Sequence, residues 1–428
     1  MSENKITYIK NDILSEGYYS IDHKSGLKIF VYPKEDYAST YAVFGTKYGS
    51  IDTRFKRSDR KDFIEIPAGT AHFLEHKLFE SEELDAFQRY AQTGASANAY
   101  TSFDRTCYLF TCTGNFKANF EILLDFVRHP YFTEETVRKE QGIIGQEIDM
   151  YKDSPEWECL FNLLDAMYVN HPVKIDIAGT KESIAEITAD MLFSCYDTFY
   201  NLSNMALAVA GKTTVEEVLE IADRLLQKDE DVSVERAFLP EPAEIVKPYV
   251  EENLPVATPV FCFGYKESLQ EPERSLEEEI AMSIILDVLA GQMSPLYKEL
   301  LDDGLVNNTF ATEYFNGFNY AAPIFSGESV NPVETSERIK KAISQLKKEL
   351  ITEEQFETVR KKKYGKTVRA FSDIDTLANG LVISHFEDEE LFSEFEVIKN
   401  MKLSFVNDIL VKSFDEKTAV LSVVCQKN

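Results

Sequence analysis

Two histidines and a glutamate lie close together in the segment GTAHFLEHKLFE, residues 69–80. His72 and His76 are four residues apart, so on a helix both imidazoles lie on one face with Glu75 beside them. Imidazoles at this spacing can bind one zinc ion. Two exposed histidines that fall one helical turn apart by chance are the alternative. The segment therefore predicts a metal site if the chain supplies a further ligand.

A further ligand is available in residues 133–153, which are predicted to be helical. Glu140 and Glu147 are seven residues apart here, so they lie two turns apart on one face. Apolar residues surround Glu147 in QGIIGQEI, where a carboxylate is usually paired or bound. A glutamate that extends to solvent from an amphipathic helix is the alternative. A catalytic zinc needs three protein ligands and acidifies a water molecule, whose proton a nearby carboxylate can accept.

Strands and helices alternate around these residues. The predicted elements are a strand (40–50), a helical region (69–94), two strands (96–113) and two helices (115–130 and 133–153). Thr133 is a suitable N-cap for the last helix, and Pro130 ends the helix before it. The motif residues are therefore predicted to lie on helices that pack beside strands.

The pentapeptide ETVRK occurs at residues 135–139 and again at 357–361, each time shortly after a TEE triplet. AVFGTKYGS in the first half has a looser counterpart in VFCFGYKES in the second. Several similarities in the same order indicate a duplicated fold of two similar α+β domains.

The chain is charged, contains prolines and lacks lasting periodicity around residues 227–247. We place the linker at residues 231–245, between an N-terminal domain (1–230) and a C-terminal domain (246–428). A long surface loop within one domain is the alternative.

Only the first half can build the metal site. Aligning the two ETVRK segments places Lys362 opposite Glu140 and Arg369 opposite Glu147, and the second half has no histidine before His385.

The bulk composition narrows the class of protein. The chain has 428 residues, 44% hydrophobic residues and a formal net charge of −28. This charge argues against nucleic acid or an anionic membrane as the main partner. The N-terminus lacks the apolar core of a signal peptide, no stretch approaches the ~20 apolar residues of a membrane span, and the six cysteines are scattered. We expect a cytoplasmic protein with reduced thiols.

H-x-x-E-H is the inverzincin signature. With a glutamate pair some seventy residues downstream, the chain resembles the pitrilysin family of zinc metallopeptidases, which includes the mitochondrial processing peptidase. The segments AHFLEHKLF, GASANAYTS and GQEIDMYKDSPEW carry the resemblance, which extends over essentially the whole chain. Within this family the chain most resembles the bacterial YmfH-type members, which are about this length. The resemblance implies two homologous domains, each a mostly antiparallel sheet packed with helices.

The resemblance also implies roles for particular residues. His72, His76 and Glu147 would bind one zinc ion per chain, and Glu75 would be the general base. Glu140 would orient the site or move protons. Asn98 and Ala99 would lie on an edge strand that binds substrate as an added strand. This mode suits extended peptides, because main-chain hydrogen bonds supply affinity without strict sequence demand.

One departure from the family pattern concerns the oxyanion donors. Active single-chain and homodimeric relatives supply an arginine and a tyrosine from the second domain, in the stretch that matches residues 291–310. This chain has no arginine between Arg274 and Arg338, and the tyrosine position falls on Asn307 or Asn308. Losing such donors can cost ~10²–10³ in rate.

Two explanations follow from this departure. We favour a heterodimer whose homologous partner supplies the missing pair; a homodimer with weak activity is a variant of this idea. The alternative is a catalytically weak homologue that acts as a peptide-binding or structural subunit, like the core subunits of the respiratory bc1 complex. Those subunits tend to lose part of the zinc motif, which is whole in this chain.

Overall fold

The structure, a computed structural model, describes residues 3–82, 84–230, 232–269 and 271–426. This part of the chain forms two compact units. The first contains the chain up to Gln146, Asp176–Ala237 and Val368–Ser393; the second contains Glu147–Ile175, Phe238–Thr367 and the chain from Glu394. Residue 231, where the predicted linker begins, lies outside the described residues. The domain boundaries at 230 and 246 stay a prediction.

The strands of the described residues are short, and the central ones are apolar. They are β1 (Lys5–Asn11), β2 (Glu16–Asp22), β3 (Lys28–Pro33), β4 (Thr40–Thr46), β5 (Arg54–Arg57), β6 (Ile64–Glu65), β7 (Ser96–Thr101), β8 (Thr106–Cys112), β9 (Met205–Gly211), β10 (Val234–Arg236), β11 (Tyr249–Asn253), β12 (Val260–Tyr265), β13 (Ala311–Gly317), β14 (Tyr320–Glu328) and β15 (Ala419–Cys425).

The helices pack against these strands. They are α1 (Thr70–Leu78), α2 (Ala86–Thr93), α3 (Phe116–Arg128), α4 (Glu134–Lys152), α5 (Pro155–Met167), α6 (Lys181–Ala185), α7 (Ala189–Phe199), α8 (Val215–Leu225), α9 (Leu276–Ala290), α10 (Pro295–Asp302), α11 (Pro332–Glu349), α12 (Glu353–Ala370), α13 (Ile374–Phe386), α14 (Ser393–Asn400) and α15 (Leu403–Lys412).

A seven-stranded sheet in the order β1-β2-β3-β9-β4-β8-β7 forms the base of the first unit. All neighbours are antiparallel except β3 and β9. Every residue of β4 and β9 is buried, which explains why both are nearly continuous apolar runs and do not alternate. β7 forms one edge of the sheet and lies against α1.

The second unit repeats this arrangement. Its five-stranded sheet has the order β11-β15-β12-β14-β13, with only β11 and β15 parallel. The order and strand directions match those of β3-β9-β4-β8-β7 in the first unit. The predicted α+β fold, with two similar and mostly antiparallel sheets packed with helices, is therefore confirmed.

Each sheet is covered by a helix from the other half of the sequence. α5 packs on β12 and β15 in the second unit, and α13 packs on β4 and β9 in the first. A glycine in each central strand permits this approach. A Cβ on Gly45 would lie 2.8 Å from Val382 of α13, and one on Gly264 would lie 2.9 Å from Met167 of α5. These two glycines belong to the two segments that the sequence comparison paired, AVFGTKYGS and VFCFGYKES.

The predicted elements near the metal-site residues are confirmed. α4 begins at Glu134, and the Thr133 hydroxyl accepts a hydrogen bond from the backbone N–H of Thr136 at 3.2 Å. β7 and β8 form the predicted pair of strands.

The six cysteines are free thiols, five of them buried. Among the described residues, no single helix has the length and hydropathy of a membrane span, whereas α9 and α10 together, across a 41° bend, do.

Candidate metal centre

Helix α1 begins at a fixed place because its start lies against another segment of the first unit. Gly69 precedes it with a φ of 87°, a left-handed conformation that glycine adopts without strain. A Cβ on Gly69 would lie 2.4 Å from the carbonyl oxygen of Ala178. The Ser183 hydroxyl donates a hydrogen bond to the carbonyl oxygen of Ala68 at 2.8 Å. These contacts fix the position of both histidines, which lie in the following two turns.

His72, His76 and Glu147 lie together. One potential ligand atom from each lies within 4.8 Å of the others, and the imidazole centroids are 4.6 Å apart. Ligand atoms around a tetrahedral zinc with bonds of ~2.1 Å are about 3.4 Å apart, so small side-chain rotations suffice for one ion to reach all three. Two imidazoles and a carboxylate are also the donor set of a zinc hydrolase. The residues therefore fit a zinc ion.

Glu140 holds the second histidine of this group. Its carboxylate lies 3.0 Å from Nδ1 of His76, and the side chain is buried. Burial, the largest single influence, raises the pKa of Glu140, but the hydrogen bond with His76 together with the nearby Lys77 and Glu80 holds that pKa below its ordinary value. A carboxylate at Nδ1 favours the tautomer in which Nδ1–H donates, which leaves Nε2 as the available metal ligand.

Glu75 is buried on the same helix and is held by a strand residue. The Thr101 hydroxyl donates a hydrogen bond to Oε2 of Glu75 at 2.6 Å, and only 8% of Glu75 is exposed. Thr101 is the last residue of β7. Thr101 belongs to the segment GASANAYTS, but its position in the sequence predicts no role for it. Its contact with Glu75 joins residues from two elements, and no spacing rule in the sequence predicts such a pair.

Tyr151 was also missed by the sequence analysis. Its hydroxyl donates a hydrogen bond to Oε1 of Glu147 at 2.8 Å. Tyr151 lies four residues after Glu147 on α4, so the helical period that related the two glutamates could have found it. A hydroxyl on one carboxylate oxygen restricts the orientations of Glu147.

Asn98 and Ala99 lie on the edge strand β7, outside the histidine–glutamate group. Asn98 is exposed, and its side-chain oxygen accepts a hydrogen bond from the N–H of Ala99 at 3.0 Å. The next residue, Tyr100, donates to Asn379 of α13 at 2.9 Å. β7 is thus an edge strand of the described sheet and is held in position by α13, while the substrate-binding role of Asn98 and Ala99 stays a prediction.

The stretch 291–310 contains α10 and a turn in which the side chain of Asn307 makes hydrogen bonds to neighbouring residues. The Asn307 side chain donates to Glu328 and accepts hydrogen bonds from Thr309. The flanking arginines are used in ion pairs within the second unit. Arg274 binds two glutamates, and Arg338 binds three carboxylates.

Two family models match the chain. The model described as "Insulinase (Peptidase family M16)" matches residues 65–181, and "Peptidase M16 inactive domain" matches residues 186–363. The Bacillus subtilis protein named "Uncharacterized zinc protease YmfH" is 38% identical over 407 residues, which cover 94% of this chain and 95% of that protein. The chain belongs to the M16 peptidase family. The resemblance inferred from the motifs is therefore confirmed.

Solved M16 structures have the same fold. A putative M16-like peptidase from Alicyclobacillus acidocaldarius has a TM-score of 0.90 and 34% identity, and the match covers 100% of this chain and 99% of that one. Pitrilysin has a TM-score of 0.77 at 14% identity, covering 98% of this chain and 46% of pitrilysin. The four residues His72, Glu75, His76 and Glu147 all lie in the part of this M16 chain that matches the insulinase model.

Proposed function

We propose that this M16 chain is a zinc metallopeptidase subunit that hydrolyses extended peptides, and that it is the zinc-bearing half of a heterodimer. The observation that carries the proposal is the group of His72, His76 and Glu147, with the buried Glu75 on the same helix as both histidines. These are the residue types that metal-assisted hydrolysis requires.

The chain's own side chains would divide the work. When bound, zinc would supply a Lewis acid at the histidine–glutamate group. Glu75 would accept a proton from the attacking water, because an ionised carboxylate within reach can act as a general base. Thr101 would hold one oxygen of Glu75, and Glu140 would hold Nδ1 of His76.

The edge strand β7 would bind the substrate. A peptide that adds to this edge as a further strand gains main-chain hydrogen bonds, and Asn98 and Ala99 lie at its middle. We expect the chain to favour unstructured peptides, because such a peptide can adopt the extended conformation of an added strand without first unfolding.

The partner would complete the transition-state stabilisation. Residues 291–310 contain no arginine, and the position of the tyrosine that active relatives use falls on Asn307 or Asn308, so this chain would stabilise a tetrahedral oxyanion poorly. A homologous partner that keeps this pair, and that need not carry H-x-x-E-H, would supply both groups. We place the complex in the cytoplasm. The missing pair also fits the second candidate, a weakly catalytic homologue that binds peptides or serves as a structural subunit, but the intact H-x-x-E-H motif favours the first.

Metal content tests the site. Elemental analysis of the purified chain should give one zinc per chain, and His72→Ala or Glu147→Gln should lose that zinc. His129→Ala is the matched control, because His129 is a histidine with a 76% exposed side chain in the same unit. Zinc retained in both site variants would contradict the ligand assignment.

Turnover of an unstructured peptide tests the heterodimer. The chain alone should be slow, and titrating the homologous partner should raise kcat more than it changes KM, because the added groups act in the transition state. Full turnover by the chain alone, unchanged on addition, would refute the heterodimer. Zinc binding without turnover under any of these conditions would favour the second candidate.

A further inference from the structure

Among the three proposed ligands, Glu147 has the most flexible side chain. Three rotatable bonds separate its carboxylate from the backbone, and the carboxylate offers two oxygens to a metal. When one nitrogen of an imidazole is held by a hydrogen bond, the direction of the other nitrogen is fixed as well. Glu140 holds Nδ1 of His76 in this way. The corresponding restraint on Glu147 must come from a donor on one of its two oxygens.

Tyr151 is placed to provide that donor. Its hydroxyl lies 2.8 Å from Oε1 of Glu147, and the carboxylate can only accept, so the phenol donates. Side chains on a helix lean towards its N-terminus, which directs Tyr151 back over the residue one turn earlier. Oε1 thereby accepts this hydrogen bond, which restricts rotation of the Glu147 carboxylate.

The ring of Tyr151 is itself held by an aromatic neighbour. Trp157 stacks on it with centroids 5.0 Å apart and an interplanar angle of 21°. Trp157 lies in the first turn of α5, whose start is set by Pro155. The backbone N–H of Ser154 donates to the carbonyl oxygen of Tyr151 at 2.9 Å, so a tight turn fixes α5 relative to the end of α4. Glu147, Tyr151 and Trp157 therefore form a continuous series of contacts.

We propose that Tyr151 is a positioning residue for the metal ligand Glu147, that Trp157 holds Tyr151 in place, and that Trp157 fluorescence reports occupation of the site. The inference rests on the proposed zinc site. Residues that orient metal ligands typically change metal affinity by 10–100-fold when they are replaced. Trp157 is the single tryptophan of the chain, so its emission can be followed without interference from another indole.

The test uses Zn²⁺ alone as the probe. The full chain is stripped with a chelator and titrated with Zn²⁺ while tryptophan emission is recorded, and affinity is measured by competition with a chromogenic chelator. The parent chain should show an emission change that ends at one equivalent. Tyr151→Phe keeps the ring and removes only the hydroxyl, and it should bind Zn²⁺ about 10–100-fold more weakly.

Tyr249→Phe is the matched control. Tyr249 also donates its hydroxyl to a glutamate, Glu251, but both lie on β11. This variant should bind Zn²⁺ as the parent does. Trp157→Phe, followed by chelator competition, should weaken binding less than Tyr151→Phe. Thermal unfolding of the metal-free chain shows whether Tyr151→Phe folds. If it does not fold, Trp157→Phe still tests the proposal.

The outcomes separate this inference from the proposed function. A parent chain that binds no Zn²⁺ would refute the metal site itself. A parent that binds Zn²⁺ and loses it in Glu147→Gln, while Tyr151→Phe binds within twofold of the parent, would overturn the positioning role alone. Unchanged affinity in Trp157→Phe would overturn the role of the stacked ring, and titration without an emission change would overturn its use as a reporter.

Discussion

Three polar side chains of the candidate metal centre are each held by one neighbour. Glu140 contacts His76, Thr101 contacts Glu75, and Tyr151 contacts Glu147. Each neighbour contacts one hydrogen-bonding atom of the group that it holds. Replacing a neighbour should therefore change the orientation of a functional group without removing the group.

Glu75→Gln should keep zinc and lose peptide hydrolysis. Glutamine has nearly the same shape and cannot accept a proton from water, and a general base contributes roughly 10²–10⁴-fold to rate. Elemental analysis and single-turnover cleavage of an unstructured peptide, with the partner present, measure both effects. Turnover near that of the parent would show that another group is the base.

Thr101→Val should lower kcat by about tenfold or more while zinc content stays unchanged. The change removes the donor to Glu75 with little change in volume, and a hydrogen bond to a charged group contributes roughly 1.5–3 kcal/mol. Thr101→Ser keeps the donor and should restore most of the rate. Thr111→Val, on the neighbouring strand β8, is the control for loss of a half-buried hydroxyl. Equal rates in all three variants would remove Thr101 from the mechanism.

The closeness of His72 and His76 could be predicted because a four-residue spacing follows from helix geometry, while their role as metal ligands stays a prediction. His72 and His76 share a face once this segment is a helix, whatever that helix packs against. Glu147 can be recognised as a carboxylate among apolar neighbours. The role of Thr101 could not be predicted, because its hydroxyl meets Glu75 only after β7 has packed against α1. Threonine in an edge strand is also common without any function.

Two lysines of α12 contact α9 in the second unit. α9 follows the central strand β12, as α1 follows β4 after two short strands, and Ser283 and Asp287 are four residues apart on it. Lys362, which aligns with Glu140 in the sequence, donates to Asp287 at 2.7 Å. Lys363 donates to Ser283 at 3.3 Å. Ammonium groups thus provide positive charge between α9 and α12, and no metal is needed to join them.

Lys362→Ala should lower the free energy of unfolding by roughly 1 kcal/mol and leave zinc content unchanged. The side chains of Lys362 and Asp287 are only 30% and 24% exposed, so this pair should exceed the smallest values seen for surface ion pairs. Lys361→Ala is the control, because its side chain is 76% exposed on the same helix. Urea unfolding measures the free energy of unfolding of both variants, and equal values would contradict the prediction.

His171 should make the stability of the second unit depend on pH. It is 1% exposed and stacks on Phe238. Burial lowers its pKa to about 4, despite a hydrogen bond to the carbonyl oxygen of Phe318. The unfolded chain, with a histidine pKa near 6.5, therefore binds a proton first as pH falls. This group's contribution is complete above pH 6.5 and is lost progressively towards pH 4.

The expected loss between pH 7.5 and 5.5 is about 1.3 kcal/mol from this residue. His171→Phe should reduce the pH dependence of the unfolding free energy by that amount, measured by urea unfolding at both values. The exposed His129, replaced by glutamine, should leave the dependence unchanged. An unaltered slope in His171→Phe would show that another group causes the acid sensitivity.

Element types and order could be predicted, whereas the partners of α5 and α13 could not. Periodicity and caps specify where a helix lies along the chain, as Thr133 does for α4. They contain no information about which of two similar sheets an apolar helix covers. That choice depends on packing between segments about two hundred residues apart.

On the scale of the whole molecule, α5 from the first half of the sequence covers the sheet of the second unit, and α13 from the second half covers the sheet of the first. This exchange of helices makes each unit depend on both halves of the sequence. Gly45→Val should therefore lower the free energy of unfolding by about 3 kcal/mol. A Cβ there would already lie 2.8 Å from Val382, and overpacking of this kind typically costs 1–3 kcal/mol or more. Gly114→Ala is the control, because a Cβ at Gly114 meets nothing within 4 Å. Equal stability of both variants in urea would show that α13 moves away without cost.

The exchange of helices also sets the order of events during synthesis on the ribosome. All residues of the candidate metal centre have been translated once Glu147 is made, and the central strand β9 is complete at Gly211. α13 begins about 160 residues later, at Ile374. At roughly 5–20 residues per second, the nascent sheet waits on the order of 10–30 s for the helix that covers it. During this interval its apolar face is open to chaperones and to neighbouring nascent chains, so the yield of folded protein should depend on translation speed between β9 and α13.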